Sequence, residues 1–531
     1  MTEPLSPPTP PAKRDWLWHP ALIVFVSNIC IMVIELVAGR MVAPIIGVSL
    51  YTWTSIIGVI LAGISVGNFL GGKLADRYAS RQLLGGLFVL SGLGAISVLF
   101  TVEALSQSGL TFVPIKSLIV RMVLFISAIY FLPSLLLGLI SPVVIKLSLN
   151  DLRATGNVIG RIYAASALGS IVGTFATGYF LISWIGTRAI SLGVGVLLLT
   201  MGLLLGQWFK RRAPVAVLVL LLGLGAGALV AGSDSFARAM DSGCLVESNY
   251  FCIKVGHDTQ NGKEYRVLSL DALVHSYNAV DDPADLRYSY EQVGAEIAQY
   301  VQGRDRTIEM LLIGGGGYTL PRYLQTAYPA ARVDVAEIDP AVTGIAFGAL
   351  GVPPNPQVRT FNEDARQFLV ELDPGKRYNY IHGDAFNDFS VPYHLTTQEF
   401  NVLVRSHLTP GGIYLVNLID GLDAPFARAY LRTLRATFKY VYFVPTNRAY
   451  LNLRANTMLA LATDAPLNLE TLRTLNGHDE ISQFSAWVLS DAELDDWLSQ
   501  GERFILTDDY VPADNLLTGV FEVKLALADK P

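Results

Sequence analysis

The stretch LLIGGGGYTL, residues 311–320, sets four consecutive glycines directly behind an apolar run. A short apolar run ending in glycines reads as a buried strand and its exit turn. The glycines let the backbone turn sharply and let a ligand approach without meeting a Cβ. Working outward, segments near 308–313, 332–337, 357–362, 378–383 and 411–418 read as strands with helical patterns between them. Alternation at this spacing predicts a parallel sheet with helices on both faces. KYVYFVP (439–445) and TMLALAT (457–463) add two strands without an intervening helix. Ahead of the series, CLVESNYFCIKVGHD and KEYRVLSLDALVH flank TQNGKE, where Asn-Gly predicts a hairpin. A helical stretch over 283–301 joins the hairpin to the sheet.

Sheets of this kind bind ligands at the C-terminal ends of their strands. The glycines occupy the first tip. The second strand, VDVAEIDP, ends in Glu337, about 20 residues further on, where an acid can accept both ribose hydroxyl hydrogens. FNEDARQFL places Asp364 at the third tip, in reach of an adenine amino group, and YIHGDAFND places Asp384 at the fourth. Acids at three successive tips beside a glycine loop predict an adenosyl site. His382 shares a strand face with Asp384 and reads as a buried structural histidine rather than a proton shuttle.

The rest of the chain is physically different. The 531 residues are 52% hydrophobic and 16% charged, with a mean hydropathy of +0.42. Residues 1–232 hold 15 Lys+Arg against 6 Asp+Glu, whereas the remainder holds 24 against 39. The acidic second half argues against a nucleic-acid partner. Seven apolar stretches, 21–38, 52–74, 83–100, 118–147, 162–185, 189–205 and 215–231, are mostly near the roughly 20 residues needed to cross a bilayer. The fourth carries Pro133 and Pro142 and reads as one tilted or kinked helix. The Pro-rich residues 1–19 read as disordered, and the first span as an anchor in a multi-pass inner-membrane protein.

The expected architecture is therefore an all-α transmembrane bundle of about seven helices over 20–232. A small β hairpin subdomain (233–282) and a Rossmann-like α/β domain (283–531) follow. Lys13, Arg14, Lys73, Arg77, Arg81, Lys146, Arg153, Arg161 and Lys210 to Arg212 fall in segments on the N-terminal side, which the charge rule sets in the cytoplasm. Seven spans then put the second half outside. Glu35, deep in the first span, reads either as functional or as protonated or paired with Arg40. GGKLADRYASR (71–81) resembles the loop between helices two and three of major-facilitator transporters, so the bundle reads as an anchor or as a transport-type element.

VESNYFCIKV, LSLDALVHS, YSYEQ, IGGGG, AEIDP, NEDARQFL and GDAFND fall in one order and spacing over 246–415. In this the chain resembles the spermidine synthases (polyamine aminopropyltransferases), specifically the forms fused to a membrane domain. The seven-strand arrangement is similar to that of AdoMet-dependent methyltransferases. The resemblance implies a decarboxylated AdoMet or AdoMet co-substrate, no metal, a polyamine or other small amine as acceptor, and a homodimer. It implies a nucleoside set of Gly314, Gly315, Gly316, Gly317, Glu337, Asp339, Asp364 and Ala365. Asp384 becomes the base that deprotonates the attacking amine, since a protonated amine cannot attack. Tyr250, His275, Tyr288, Tyr290, Asn387 and Asp388 become the amine-side residues.

The chain departs from the family pattern at three places. The acid usual after the third glycine is replaced by Gly317, followed by Tyr318; the second acid of the strand-four loop is Asn387, with Asp388 one step on; a usual glutamine is His275. Three readings follow: aminopropyl transfer to a diamine, an altered reaction on AdoMet itself, or a nucleoside-sensing domain that regulates the bundle. A catalytic half outside the cytoplasm also conflicts with a donor made inside, and the side stays open. Cys30, Cys244 and Cys252 lack metal-ligand spacing. The last two read as unpaired core residues, or as a disulfide if the domain is extracytoplasmic. LTDDYVPADNLL (506–517) reads as a turn with helix-capping acids or as a charged lid.

Overall fold

The computed structural model describes residues 19–108, 117–149, 155–206, 232–305, 307–385, 391–421, 423–446, 456–475, 482–501 and 503–520. The chain forms two compact units. One comprises Met1–Ala38, Ile56–Glu103 and Ile126–Met240; the other comprises Gly39–Ser55, Ala104–Phe125 and Asp241–Pro531.

Among the described residues, six helices are long and apolar enough to cross a membrane: Pro20–Ile46, Leu50–Tyr78, Arg81–Gln107, Leu118–Ser148, Thr155–Ile185 and Thr187–Leu205. The expected seventh span, 215–231, and nearly all of the expected disordered 1–19 lie outside the described residues. The 118–148 helix is interrupted at Leu139, one residue after the segment that holds Pro133, as the kinked reading anticipates. Within the first unit, small residues bring helices into backbone contact. A Cβ at Gly67 would lie 2.2 Å from the Leu135 carbonyl, and one at Gly138 would lie 2.6 Å from that of Ile64. Such approach is how helices associate where no hydrophobic drive operates. Asp76, in the 71–81 motif, pairs with Lys146 at 2.9 Å.

In the second unit, β1 (Val246–Glu247), β2 (Cys252–Gln260), β3 (Lys263–Leu270) and β4 (Leu273–Ala279) form an antiparallel sheet. Gln260 pairs with Lys263, so Asn261 and Gly262, both at positive φ, make the two-residue turn that Asn-Gly favours. Cys244 and Cys252 are joined in a disulfide, with Cα atoms 5.3 Å apart. This corrects the reading of two unpaired core residues. β1 pairs with β2, so Cys244, two residues ahead of β1, comes within disulfide reach of Cys252 at the start of β2.

The larger sheet contains β5 (Glu309–Ile313), β6 (Arg332–Ala336), β7 (Val358–Phe361), β8 (Tyr378–Gly383), β9 (Leu408–Asp420), β10 (Tyr440–Val444) and β11 (Asn456–Thr463). Its order is β10-β11-β9-β8-β5-β6-β7. β5 to β9 pair in parallel, and β11 runs antiparallel to both β9 and β10. All seven expected strands are present. The helix after β4 begins at Ser289, later than the expected 283. Tyr380, Ile381, Met310 to Ile313, Val333 and Val335 are buried, as both faces of a parallel sheet must be when helices cover them. The strand order reverses between β5 and β8, and that crevice is where ligands bind in open α/β sheets.

Candidate active site

The reversal point brings two sequence-predicted elements side by side. Gly314 N–H donates to the Ala336 carbonyl at 2.8 Å, and Asp384 N–H donates to that of Ile313 at 2.8 Å. Gly314 has a φ of +91°, and a Cβ there would sit 2.4 Å from the Asp384 carbonyl oxygen. Only glycine meets both demands. The glycine loop and the fourth strand tip therefore form one rigid edge.

On one side of this edge the acids are held by fixed donors. Glu337 Oε2 accepts from Gly315 N at 2.7 Å and Gly316 N at 3.2 Å, while Oε1 accepts from Asp339 N at 2.9 Å. Burial raises its carboxyl above the ordinary range against these three amides. Asp339 caps helix Pro340–Phe347 by accepting from Ala341 N, and its other oxygen accepts from Ser248 Oγ. Asp364 caps helix Ala365–Glu371, accepting from Arg366 N and Gln367 N. Its Oδ2 meets His394 Nε2 at 2.7 Å. Burial pushes Asp364 up, but His394 and the two amides outweigh it, so the carboxyl lies below the ordinary range. Ala365 is buried in the first turn of that helix. Tyr250 is partly exposed and faces the Asp339, Asp364 and Glu337 carboxylates. His394 was missed in the sequence, where it stands 30 positions from Asp364 and in no motif.

On the other side lies a cavity of about 350 Å³. His275, Tyr288, Tyr290, Gly315, Gly316, Gly317 and Asp384 line it, together with Asn417 from β9. Asn387 and Asp388 lie outside the described residues. The Asp384 carboxyl is pushed up to about 7 by burial, while Asn417 and the Tyr290 hydroxyl oppose that shift through hydrogen bonds. Asn417 Nδ2 donates to Asp384 Oδ1 at 2.7 Å, and among the described residues its own buried Oδ1 has no hydrogen-bond partner. The Tyr288 and Tyr290 rings stack at 5.4 Å, and Tyr277 meets Tyr288 edge-on at 5.4 Å. Glu291 accepts from Thr319 Oγ1 at 2.5 Å and is also pushed up to about 7 by burial. His382 is 1% exposed and holds the Tyr380 hydroxyl at 2.9 Å.

Gly317 faces β4. A Cβ there would lie 1.8 Å from Ser276 Oγ and 2.6 Å from Asn278 Oδ1, and Asn278 Nδ2 donates to the Gly317 carbonyl at 2.6 Å. Two neutral side chains fill the direction a side chain at 317 would take. The 506–517 segment fastens rather than covers. Asp508 pairs with Arg366 at 2.5 Å, and Asp514 accepts from Leu50 N at 2.8 Å, capping the helix that starts there. Asp514 thus caps a helix 464 residues earlier in the chain.

No protein-family model matches the chain. It is 32% identical to the polyamine aminopropyltransferase of Vibrio vulnificus over 137 residues, which are 26% of this chain and 46% of that protein. The match thus spans about half the length of that relative. Over 444 residues it is 27% identical to the polyamine aminopropyltransferase of Corynebacterium efficiens, covering 78% of this chain and 80% of the relative. A crystal structure of a probable spermidine synthase from Corynebacterium glutamicum aligns with a TM-score of 0.43 and 21% identity, over 50% of this chain and 95% of that one. With its apolar helices ahead of a glycine-loop α/β domain, the chain is similar in sequence, over most of its length, to polyamine aminopropyltransferases.

Proposed function

We propose that the chain is a membrane-bound aminopropyltransferase that moves an aminopropyl group from decarboxylated AdoMet to a diamine such as putrescine. The observation that carries this reading is Asp384. It is a half-buried carboxylate beside the glycine loop, held by Asn417 and Tyr290 and lining a cavity walled in part by tyrosines. Gly314 to Gly317, Glu337, Asp339, Asp364 and Ala365 hold the nucleoside. The amine lone pair attacks the propyl carbon attached to the sulfonium, the C–S bond breaks with its electrons on sulfur, and neutral methylthioadenosine leaves. The amine proton passes to Asp384, whose pKa near 7 suits proton transfer at neutral pH. The tyrosine faces attract the cationic amine.

A second reading, a reaction on AdoMet itself, is favoured by one observation. Ser276 and Asn278 fill the direction of a side chain at 317, so no acid there repels a carboxylate on the donor. Product analysis separates the readings. Putrescine with decarboxylated AdoMet should give spermidine, whereas AdoMet alone should give methylthioadenosine or a methylated product under the second. Neither product from either mixture leaves the nucleoside-sensing reading.

We also propose that the catalytic unit lies on the extracytoplasmic side of the membrane. Two observations support this: the basic residues of the other loops and the Cys244–Cys252 disulfide. A membrane-impermeant maleimide should label intact cells at Cys244 or Cys252 only after an impermeant reductant. Labelling that requires permeabilised cells contradicts the assignment.

A further inference from the structure

The second unit contains a piece of the first apolar helix, residues 39–46, and one side chain on it grips the backbone at Ser248, whose hydroxyl holds Asp339. Arg40 donates through one amino group to the Ser248 carbonyl at 2.9 Å and through the other to the Tyr250 carbonyl. Glu247, Asp271 and Asp339 supply the negative field around the guanidinium. The corner that Arg40 grips is built on Ser248. Its hydroxyl oxygen accepts from Tyr250 N at 3.0 Å and Phe251 N at 2.9 Å, and donates to Asp339 Oδ2. Asp339 N–H then donates to Glu337, and Glu337 accepts from Gly315 and Gly316. An unbroken hydrogen-bonded path runs from Arg40 to the glycine loop. Ser248, Asp339 and Glu337, its intermediate groups, are 8%, 1% and 6% exposed.

We propose that Arg40 is a positioning residue for the nucleoside half of the site, so that the end of the first apolar helix is part of the donor-binding machinery. A planar fork suits this place because two carbonyls must be met at once beside three carboxylates, which an ammonium or a neutral amide does less well. The same corner of the chain is tied down again ten residues later. Leu50 N–H donates to Asp514, and the Tyr51 hydroxyl donates to Asn515 Oδ1 at 2.8 Å. The inference rests on the nucleoside reading of Glu337 and Asp339.

The test uses the full chain in detergent micelles, with R40Q, R40K, S248A and the R40Q/S248A pair. Methylthioadenosine affinity is measured by calorimetry, and donor KM and kcat by spermidine formation. R40Q should weaken methylthioadenosine and raise donor KM by about tenfold, as loss of a charge-assisted pair of bonds does, with kcat within about twofold. R40K should recover part of the loss. S248A keeps the backbone carbonyls but cuts the path, so the double variant should be little worse than either single one. Wild-type affinity in R40Q, strictly additive losses, or a fall in kcat at unchanged donor KM each overturns the proposal. Absence of methylthioadenosine binding to the wild-type chain instead overturns the nucleoside reading and this inference with it.

Discussion

The two sides of the glycine loop carry the same residue type at equivalent strand tips and treat it in opposite ways. Asp364 has its oxygens filled by two backbone amides and His394, and its carboxyl lies below the ordinary range. Asp384, half-buried on the cavity wall, is met by Asn417 and the Tyr290 hydroxyl, and burial lifts it to about 7. Where fixed donors outweigh burial, as at Asp364, a carboxyl stays ionised across the physiological range. Where burial outweighs them, as at Asp384, it can take and give a proton near neutral pH. The balance of burial and donors, not residue type, sets the two carboxyls apart.

The sharpest blow to this contrast falls on Asp384. D384N should lower kcat by about 10²–10⁴-fold, the usual weight of general-base catalysis, while methylthioadenosine affinity stays within about twofold. Lost binding in that variant puts Asp384 among the binders and erases the contrast. Next in size, G317A forces a Cβ against Ser276 and Asn278 and should cost about 1–3 kcal/mol of stability, read as a lowered thermal midpoint. G317A with S276G should recover part of it; no recovery means that β4 does not set the loop.

The pH profile probes the same contrast. A raised carboxyl is a base only when ionised, so kcat/KM should climb with pH through about 7 and fall below it. Y290F removes a bond that favours the charged form and should move that midpoint upward. An unmoved midpoint assigns the titration to another group, with the nearby Glu291 first in line. The smallest effect belongs to His394. H394A should weaken methylthioadenosine by several-fold, about 1 kcal/mol, with kcat unchanged. Because His394 helps keep Asp364 ionised, the variant should also lose affinity at a higher pH than the wild-type chain as acid is added. Equal acid sensitivity would show that the backbone amides suffice.

Sequence alone determined the apolar helices, the seven strands of the large sheet and the acids at their tips. Those follow from local regularities: hydrophobic runs matched to a bilayer or a buried strand, Asn-Gly at a two-residue turn, and glycine where the backbone meets another chain segment. Tertiary structure decided which partners those acids have. His394 reaches Asp364, Asn417 reaches Asp384, Asp514 caps a helix 464 residues away, and Arg40 grips the corner at Ser248. Arg40, expected to pair with Glu35 if it paired at all, donates to Ser248 and Tyr250 instead. Cys244 and Cys252 are eight residues apart in either reading, and the β1–β2 pairing brings them together. The physical reason is common to all of these. Hydrophobic periodicity is written along the chain within one turn or one strand, whereas a carboxyl's partners and hydration depend on segments that only folding brings near.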